Sequence, residues 1–186
     1  MKLLHIADLY LDRWGTQRLD RLRDIAIEEQ ADAVLLAGGI WYAPAPTVES
    51  VLPFCAFVRQ LTARGIRVFA VGSSRDAALT QLPPMDGFTC ACRFTSAVET
   101  VALEDEHGAV LLHLLPTLPT EEQFISVLSS TPLPMGARNI LLSGQVLQTA
   151  LVTAFDYLAM GGDSEVTVVK LGAQSEVETH QILLTD

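Results

Sequence analysis

Between residues 2 and 72, three short apolar runs alternate with two helical stretches, and each run stops at an aspartate or a glycine. Lys2–Ala7 ends at Asp8, Ala33–Ala37 at Gly38-Gly39, and Ile66–Val71 at Gly72. Ala33–Ala37, apolar throughout, reads as a strand covered on both faces, and the other two, short and bounded by breakers, read as strands as well. Between them, residues 17–30 place Leu19, Leu22, Ile25 and Ala26 at helical spacing. Thr47 has the chemistry of an N-cap, with Glu49 in the first turn, for a helix running to about Ala63 and closed by Gly65. A strand–helix–strand–helix–strand order requires right-handed crossovers and a parallel sheet. In such sheets ligand sites form beyond the carboxyl ends of the strands, where these aspartates and glycines lie.

The second half reads differently. Phe88–Phe94, Glu99–Leu103 and Ala109–Leu115 have strand character, the last two joined through Glu106-His107-Gly108 as a hairpin. Thr120 opens a helix that carries Glu121 and Glu122 in its first turn and runs to about Ser129. Ile140–Ser143 and Tyr157–Met160 are strands, with a short helix expected over residues 145–150. Val166–Leu171 and Val177–Leu184 form a closing hairpin through Gly172-Ala173-Gln174. The expected architecture is a single α/β domain over residues 1–186. It is a sandwich of two mixed β-sheets packed face to face and flanked by helices.

Composition narrows the functional classes. Hydrophobic residues make up 49% and charged residues 18% of the 186, which excludes a disordered chain. No apolar run approaches the roughly 20 residues of a membrane span. The N-terminal residues meet Asp8 too early for a signal peptide, so a cytoplasmic protein is expected. The net charge of −10 arises entirely after residue 93, where 12 acidic residues face 2 basic ones. Direct nucleic-acid binding, which is driven by cations, is therefore not expected. Arg13, Arg18, Arg21 and Arg23 alternate with Asp20 and Asp24 and read as a solvated helix face with local ion pairs. Cys55, Cys90 and Cys92 form no CxxC pair and read as reduced core thiols.

Five loops carry a more specific signal. HIADLYLDRWG, LLAGGIWYAPAP, FAVGSSRD, NILLSGQ and DYLAMGGDSE follow strands in this order. Together they resemble the signature loops of the calcineurin-type metallophosphoesterase superfamily, over essentially the whole chain. The wording (ADL, LDR, ADAVLLAG, FAVG) is most similar to the double-strand-break-repair exonuclease branch, whose members partner an SMC-type ATPase. The family holds two metal ions with histidines and carboxylates, because two cations must activate water and clamp phosphate oxygens.

Set against those motifs, the ligands are missing. Asp8 matches the first aspartate, and Tyr10 stands in place of the first histidine. Gly39 stands for the bridging aspartate and Tyr42 for the second aspartate of that motif. Ser73 and Ser74 stand for an Asn-His pair and Arg75 for the acid after it, with Asp76 as that acid displaced by one. Gly144 stands for the lone histidine, and Gly162 and Ser164 for the final two. His5, His107, His113 and His180 fall in strands or a turn, away from the motif loops. The resemblance with its ligands gone implies a pseudoenzyme, with no catalytic residue, metal or cofactor. It would act as a scaffold or protein-interaction subunit, as inactive relatives do in replicative polymerases and in an endosomal coat complex. A protein partner is expected, and the branch implies an SMC-type ATPase or another DNA-processing subunit. The alternatives are a degenerate phosphoesterase using Asp8, Asp76 or Asp163, and a nucleotide or small-ligand binder in the remodelled cleft.

Two local expectations concern the old site. Asp8 and Arg75 are candidates for an ion pair replacing metal charge, the alternative being a solvent-facing Arg75 and an Asp8 bonded to a neighbour. Trp41 and Tyr42, bracketed by prolines, suit a partner contact, with core packing of at least one as the alternative.

Overall fold

The computed structural model describes residues 1–73, 75–92, 98–146, 154–162, 164–173 and 176–184. Its elements are β1 (Lys2–Ile6), α1 (Leu11–Trp14), α2 (Gln17–Glu28), β2 (Ala33–Ala37), α3 (Val48–Thr62), β3 (Arg67–Val71), β4 (Phe88–Ala91), β5 (Glu99–Asp105), β6 (Gly108–Leu115), α4 (Glu121–Ser130), β7 (Arg138–Ser143), β8 (Tyr157–Met160), β9 (Val166–Leu171) and β10 (Val177–Ile182). A 3-10 turn at Ala77–Gln81 precedes β4.

The strands form two mixed sheets. One has the order β10-β9-β1-β2-β3-β4, and the other β5-β6-β7-β8. In the first, β1 to β4 run parallel, β9 runs antiparallel to β1, and β10 pairs antiparallel with β9. In the second, β6, β7 and β8 are parallel and β5 closes a hairpin with β6. The strand Phe88–Ala91 therefore belongs with the first three strands, although its sequence position groups it with the second half.

Side chains alternate between layers, as the pleat requires. Leu3, Leu35, Phe69 and Val71 face the other sheet and meet Val110, Leu112, Leu114, Ile140 and Leu142. Leu4, Ile6, Val34, Leu36, Val68 and Ala70 point the opposite way, onto Leu22 and Ile25 of α2 and Phe54 and Val58 of α3. On the far side of the smaller sheet, Leu115 and Leu141 pack with Phe124 and Leu128 of α4. Each fully buried Leu, Ile or Phe contributes about 1.5–3 kcal/mol over an exposed one. This explains why the central strands read as continuous apolar runs: both faces are covered. The sandwich flanked by helices is the architecture expected from the sequence.

Helix ends also follow the sequence. Thr120 caps α4, its hydroxyl accepting from the Gln123 amide at 3.3 Å. Thr47 holds the N-cap position of α3 in extended conformation, without a side-chain bond to the helix amides. The helix expected over residues 145–150 lies mostly outside the described residues. Among the described residues no helix is long and apolar enough to cross a membrane.

Candidate functional site: a cleft floored by glycine

The carboxyl ends of the parallel strands of both sheets converge on one cleft of about 300 Å³. Its lining includes Asp8 after β1, Gly39 after β2, Ser73 and Arg75 after β3, Gly144 after β7, and Gly161 and Gly162 after β8. Tyr10, Thr117 and Val146 complete it. The loops singled out by the sequence thus meet in space. Ser164 is half-buried and not among the lining residues. Ser74 and Asp163 lie outside the described residues.

The floor is backbone packed on backbone. Gly39 has φ +66°, and a Cβ placed there would meet Asp8 Oδ1 at 2.2 Å and Asp8 Cα at 2.8 Å. A Cβ on Gly38 would lie 3.2 Å from Gly144 Cα. One on Gly144 would lie 3.1 Å from Thr117 Oγ1 and 3.3 Å from the Gly72 carbonyl. One on Gly161 would come within 3.0 Å of the Gly144 carbonyl. Glycine here is therefore more than a missing ligand: it lets the loops close on one another. The loop after β1 is zipped to the loop after β2 by Asp8 N to Gly38 O, Tyr10 N to Gly39 O and Leu11 N to Ile40 O, at 2.9–3.1 Å. Asp8 and Tyr10 both take positive φ, 52° and 43°, to make this turn.

Asp76 ties the next loop in. Its carboxylate is 1% exposed and accepts from the amides of Gly39 and Ile40 at 2.9 Å each, Trp41 at 3.2 Å and Ser73 at 2.9 Å. The Ser73 hydroxyl donates to it as well. One buried carboxylate thus gathers four N–H groups and a hydroxyl from two loops. Asp12 performs a similar service nearer the surface, accepting from Tyr42 N at 2.6 Å and Ala43 N at 2.8 Å. These two carboxylates fold residues 39–43 inward.

That folding corrects the expectation for Trp41. Its side chain is 0% exposed and packs edge-on against Phe54, with ring centroids 5.3 Å apart, so it belongs to the core. Tyr42 is the exposed member of the pair, at 45%. The expected Asp8–Arg75 ion pair is likewise absent among the described residues. The Arg75 guanidinium lies over the Tyr42 ring, 4.8 Å from its centroid. Asp8 interacts instead with the Tyr10 hydroxyl. Burial pushes the Tyr10 phenol up from its ordinary value, as do the hydrogen bond to Asp8 and the negative charge of Asp8, while the Arg75 charge opposes them. Tyr10 therefore stays protonated and donates.

The arginine cluster of the sequence divides. Arg21 pairs with Glu28, and Arg23 with Asp20 and Asp24, as expected of a solvated face. Arg13 and Arg18 turn to aromatic rings. Arg13 lies 4.9 Å from the Tyr42 centroid and Arg18 4.6 Å from that of Trp14. Tyr10 bridges the rings, edge-on to Trp14 at 5.1 Å and to Tyr42 at 5.8 Å.

No histidine lines the cleft among the described residues. His5 stitches β1 to β8: with Nε2 donating to the Met160 carbonyl at 3.0 Å, Nδ1 accepts from the Tyr157 hydroxyl at 3.0 Å. His113 sits between the Thr100 hydroxyl and Asn139 Oδ1, at 3.0 and 3.1 Å. Burial pushes its imidazole pKa down, partly offset by Asn139.

The two-metal centre of the resembling family does not fit these residues. Among the described residues Asp8 is the one carboxylate lining the cleft, the Asp76 oxygens are taken by backbone donors, and Gly39 leaves no volume for a bridging acid. Putting that acid back is expected to harm the fold. Gly39→Asp combines a left-handed backbone with a clash and a like charge, and should cost about 2–4 kcal/mol. Melting curves with and without manganese check this: a lower Tm that manganese fails to raise is expected, and metal-dependent stabilisation would refute the misfit.

A scan against protein-family models matches none, and a search of curated proteins finds no relative. Among solved structures the chain is similar to YfcE, a phosphoesterase from E. coli, at 11% identity over 100% of both chains with a TM-score of 0.42.

Proposed function

We propose that this domain is a non-catalytic member of the metallophosphoesterase-like folds and serves as a protein-interaction subunit. The observation that carries the reading is the cluster at the mouth of the closed cleft. Trp14 and Tyr42 are 41% and 45% exposed, linked through Tyr10, with Arg13 and Arg75 both drawn to the Tyr42 ring. Exposed Trp, Tyr and Arg in contact with one another are the residue types that dominate binding energy at protein interfaces. Arg13 and Arg75 form no ion pair with a carboxylate among the described residues, whereas Arg21, Arg23 and Arg138 each do. In a chain of net charge −10, two such guanidiniums side by side favour an acidic segment on the partner. A DNA-processing partner, such as an SMC-type ATPase, is the identity the sequence resemblance suggests.

In affinity capture from native cells, the wild-type chain should retain a protein partner whose binding weakens about tenfold in Tyr42→Ala and in Arg75→Ala. Rim charges act partly through the on-rate, so the Arg75→Ala loss should shrink as salt rises. Turnover of bis-p-nitrophenyl phosphate with manganese, abolished by Asp8→Ala, would overturn the proposal.

A further inference from the structure

The second feature outside the cleft chemistry is a pair of thiols. Cys90 lies on β4, the edge strand of the larger sheet, and Cys92 lies just beyond the strand's last residue, Ala91. Two residues apart on an extended chain, they project to the same side. Their Sγ atoms are 2.7 Å apart. That is inside the roughly 3.5–4.0 Å of ordinary non-bonded contact and outside the ~2.05 Å of a bond. The Cα separation of two extended residues, about 6.6–7 Å, reaches the upper end of what a disulfide spans. Cys92 is the first residue past the strand, and the Ala91 carbonyl before it still accepts from the Gly72 amide at 2.8 Å.

Both cysteines are half-buried, and they differ in what they line. Cys92 lines a second, larger cleft of about 730 Å³ with Thr117, Leu118, Pro119 and, from α4, Glu122 and Gln123. Cys90 does not line it, and its thiol pKa is pushed far up by its hydrogen bond to Cys92 and by burial. Cys92 thus borders the space open to a solute, with Cys90 in contact with it. Cys55, in α3 on the same face of the sheet, is buried.

We propose that Cys90 and Cys92 form a redox-active dithiol, oxidised by a low-molecular-weight disulfide entering the larger cleft. The Cys92 thiolate attacks one sulfur of that disulfide. The reagent's S–S bond breaks, its other half leaves as a thiolate and takes up a proton, and Cys92 carries a mixed disulfide. Cys90 then gives up its proton and attacks Cys92 Sγ, forming the Cys90–Cys92 bond and releasing the second thiol. Two thiols and one disulfide become one disulfide and two thiols, with the protein losing two electrons and the reagent gaining them. The second step is fast because the resolving thiol is already in contact. The product bond would draw Cys92 toward the edge strand. Cys92 is packed on Gly72, where an added Cβ would lie 3.1 Å from Cys92 Cα, and the Gly72 carbonyl receives the Thr117 amide that borders both clefts.

The test is oxidised glutathione added to the folded, reduced chain, followed by alkylation and peptide mass mapping without reductant. The wild type should lose two hydrogens between Cys90 and Cys92, with Cys55 still alkylated only after unfolding. Cys90→Ser should trap glutathione on Cys92, and Cys92→Ser should react at least about tenfold more slowly. Accumulation of a stable mixed disulfide in the wild type, an adduct on Cys90 or Cys55, or no reaction at all would overturn the proposal. The wild-type map alone decides whether the bond forms, so the outcome survives poor folding of either variant.

Discussion

Replacing Asp76 by alanine should destabilise the domain by about 3–5 kcal/mol, out of all proportion to a small polar residue in a loop. The expectation follows from what the carboxylate holds. Four backbone N–H groups and one hydroxyl converge on it at a point 1% exposed to solvent. A hydrogen bond to a charged group contributes about 1.5–3 kcal/mol, and each buried donor left without a partner costs about 1–3 kcal/mol. Alanine removes every acceptor at once, and water reaching the amides recovers part of the loss. Asp76→Asn keeps the shape but turns an NH₂ toward amide donors, so it should lose more than half as much. Urea denaturation checks both variants: the midpoint should fall with little change in slope. A loss under about 1 kcal/mol for Asp76→Ala would mean that the loops hold without the clamp.

The other large effect lies at the opposite end of the sheets. Arg138 opens β7, is 4% exposed, and reaches both carboxylate oxygens of Asp105, the Gly172 carbonyl at 3.1 Å and the Gly108 carbonyl at 2.8 Å. It therefore joins the β5–β6 turn to the β9–β10 turn, one from each sheet. The Met1 amino group also donates to Asp105, at 2.6 Å. Arg138→Leu breaks a buried pair and strands a carboxylate among carbonyls, at an expected cost of about 3–5 kcal/mol. The pair also predicts a pH response. The Arg138 hydrogen bonds, chiefly, hold the Asp105 carboxyl well below the usual carboxylate range, and the Met1 amino group and the His107 amide add to this against the opposing effect of burial. A depressed folded-state value gives stability that is present above the unfolded value near 3.9 and is lost as pH falls further. Wild type should thus lose stability below about pH 4 more steeply than Arg138→Leu, whose Asp105 lacks the largest cause of that depression. Parallel urea titrations at pH 7 and pH 3 measure the difference. Equal acid sensitivity in the two proteins would count against the pair as its source.

What could be read from the sequence followed from local regularities. Ala33–Ala37 and Tyr157–Met160 are strands over those very residues, and the first, buried along its whole length, has no reason to alternate. Thr120 caps its helix because the hydroxyl and the first-turn acids are adjacent in sequence. The loop order brought Asp8, Tyr10, Gly39, Ser73, Arg75, Gly144 and Gly162 to one cleft. The misjudged residues depend on contacts that no local spacing encodes. Trp41 takes the core position that stood against a partner contact, because Asp76, 35 residues away, and Asp12 draw its loop inward. Arg75 was matched to Asp8 by charge, yet the Tyr42 ring offered a surface and the Tyr10 hydroxyl satisfied the carboxylate. The Asp105–Arg138 pair spans 33 residues within the smaller sheet, and no pattern in the chain announces it.

The glycine floor has a consequence for how such a domain can change. Positions 39, 144 and 161 each sit against backbone that belongs to another loop, and the obstruction at 39 is Asp8 itself. A larger residue at any one of them displaces a neighbour that the others hold in place. Single steps toward a ligand-bearing cleft therefore run downhill in stability before any donor set exists to reward them. Only several replacements made together, with Asp8 and Asp76 released from their present duties, would cross that valley. The domain is committed to its closed form by the mutual dependence of these contacts, and change is freest at its rim, where Trp14, Tyr42, Arg13 and Arg75 can be exchanged without disturbing the floor beneath them.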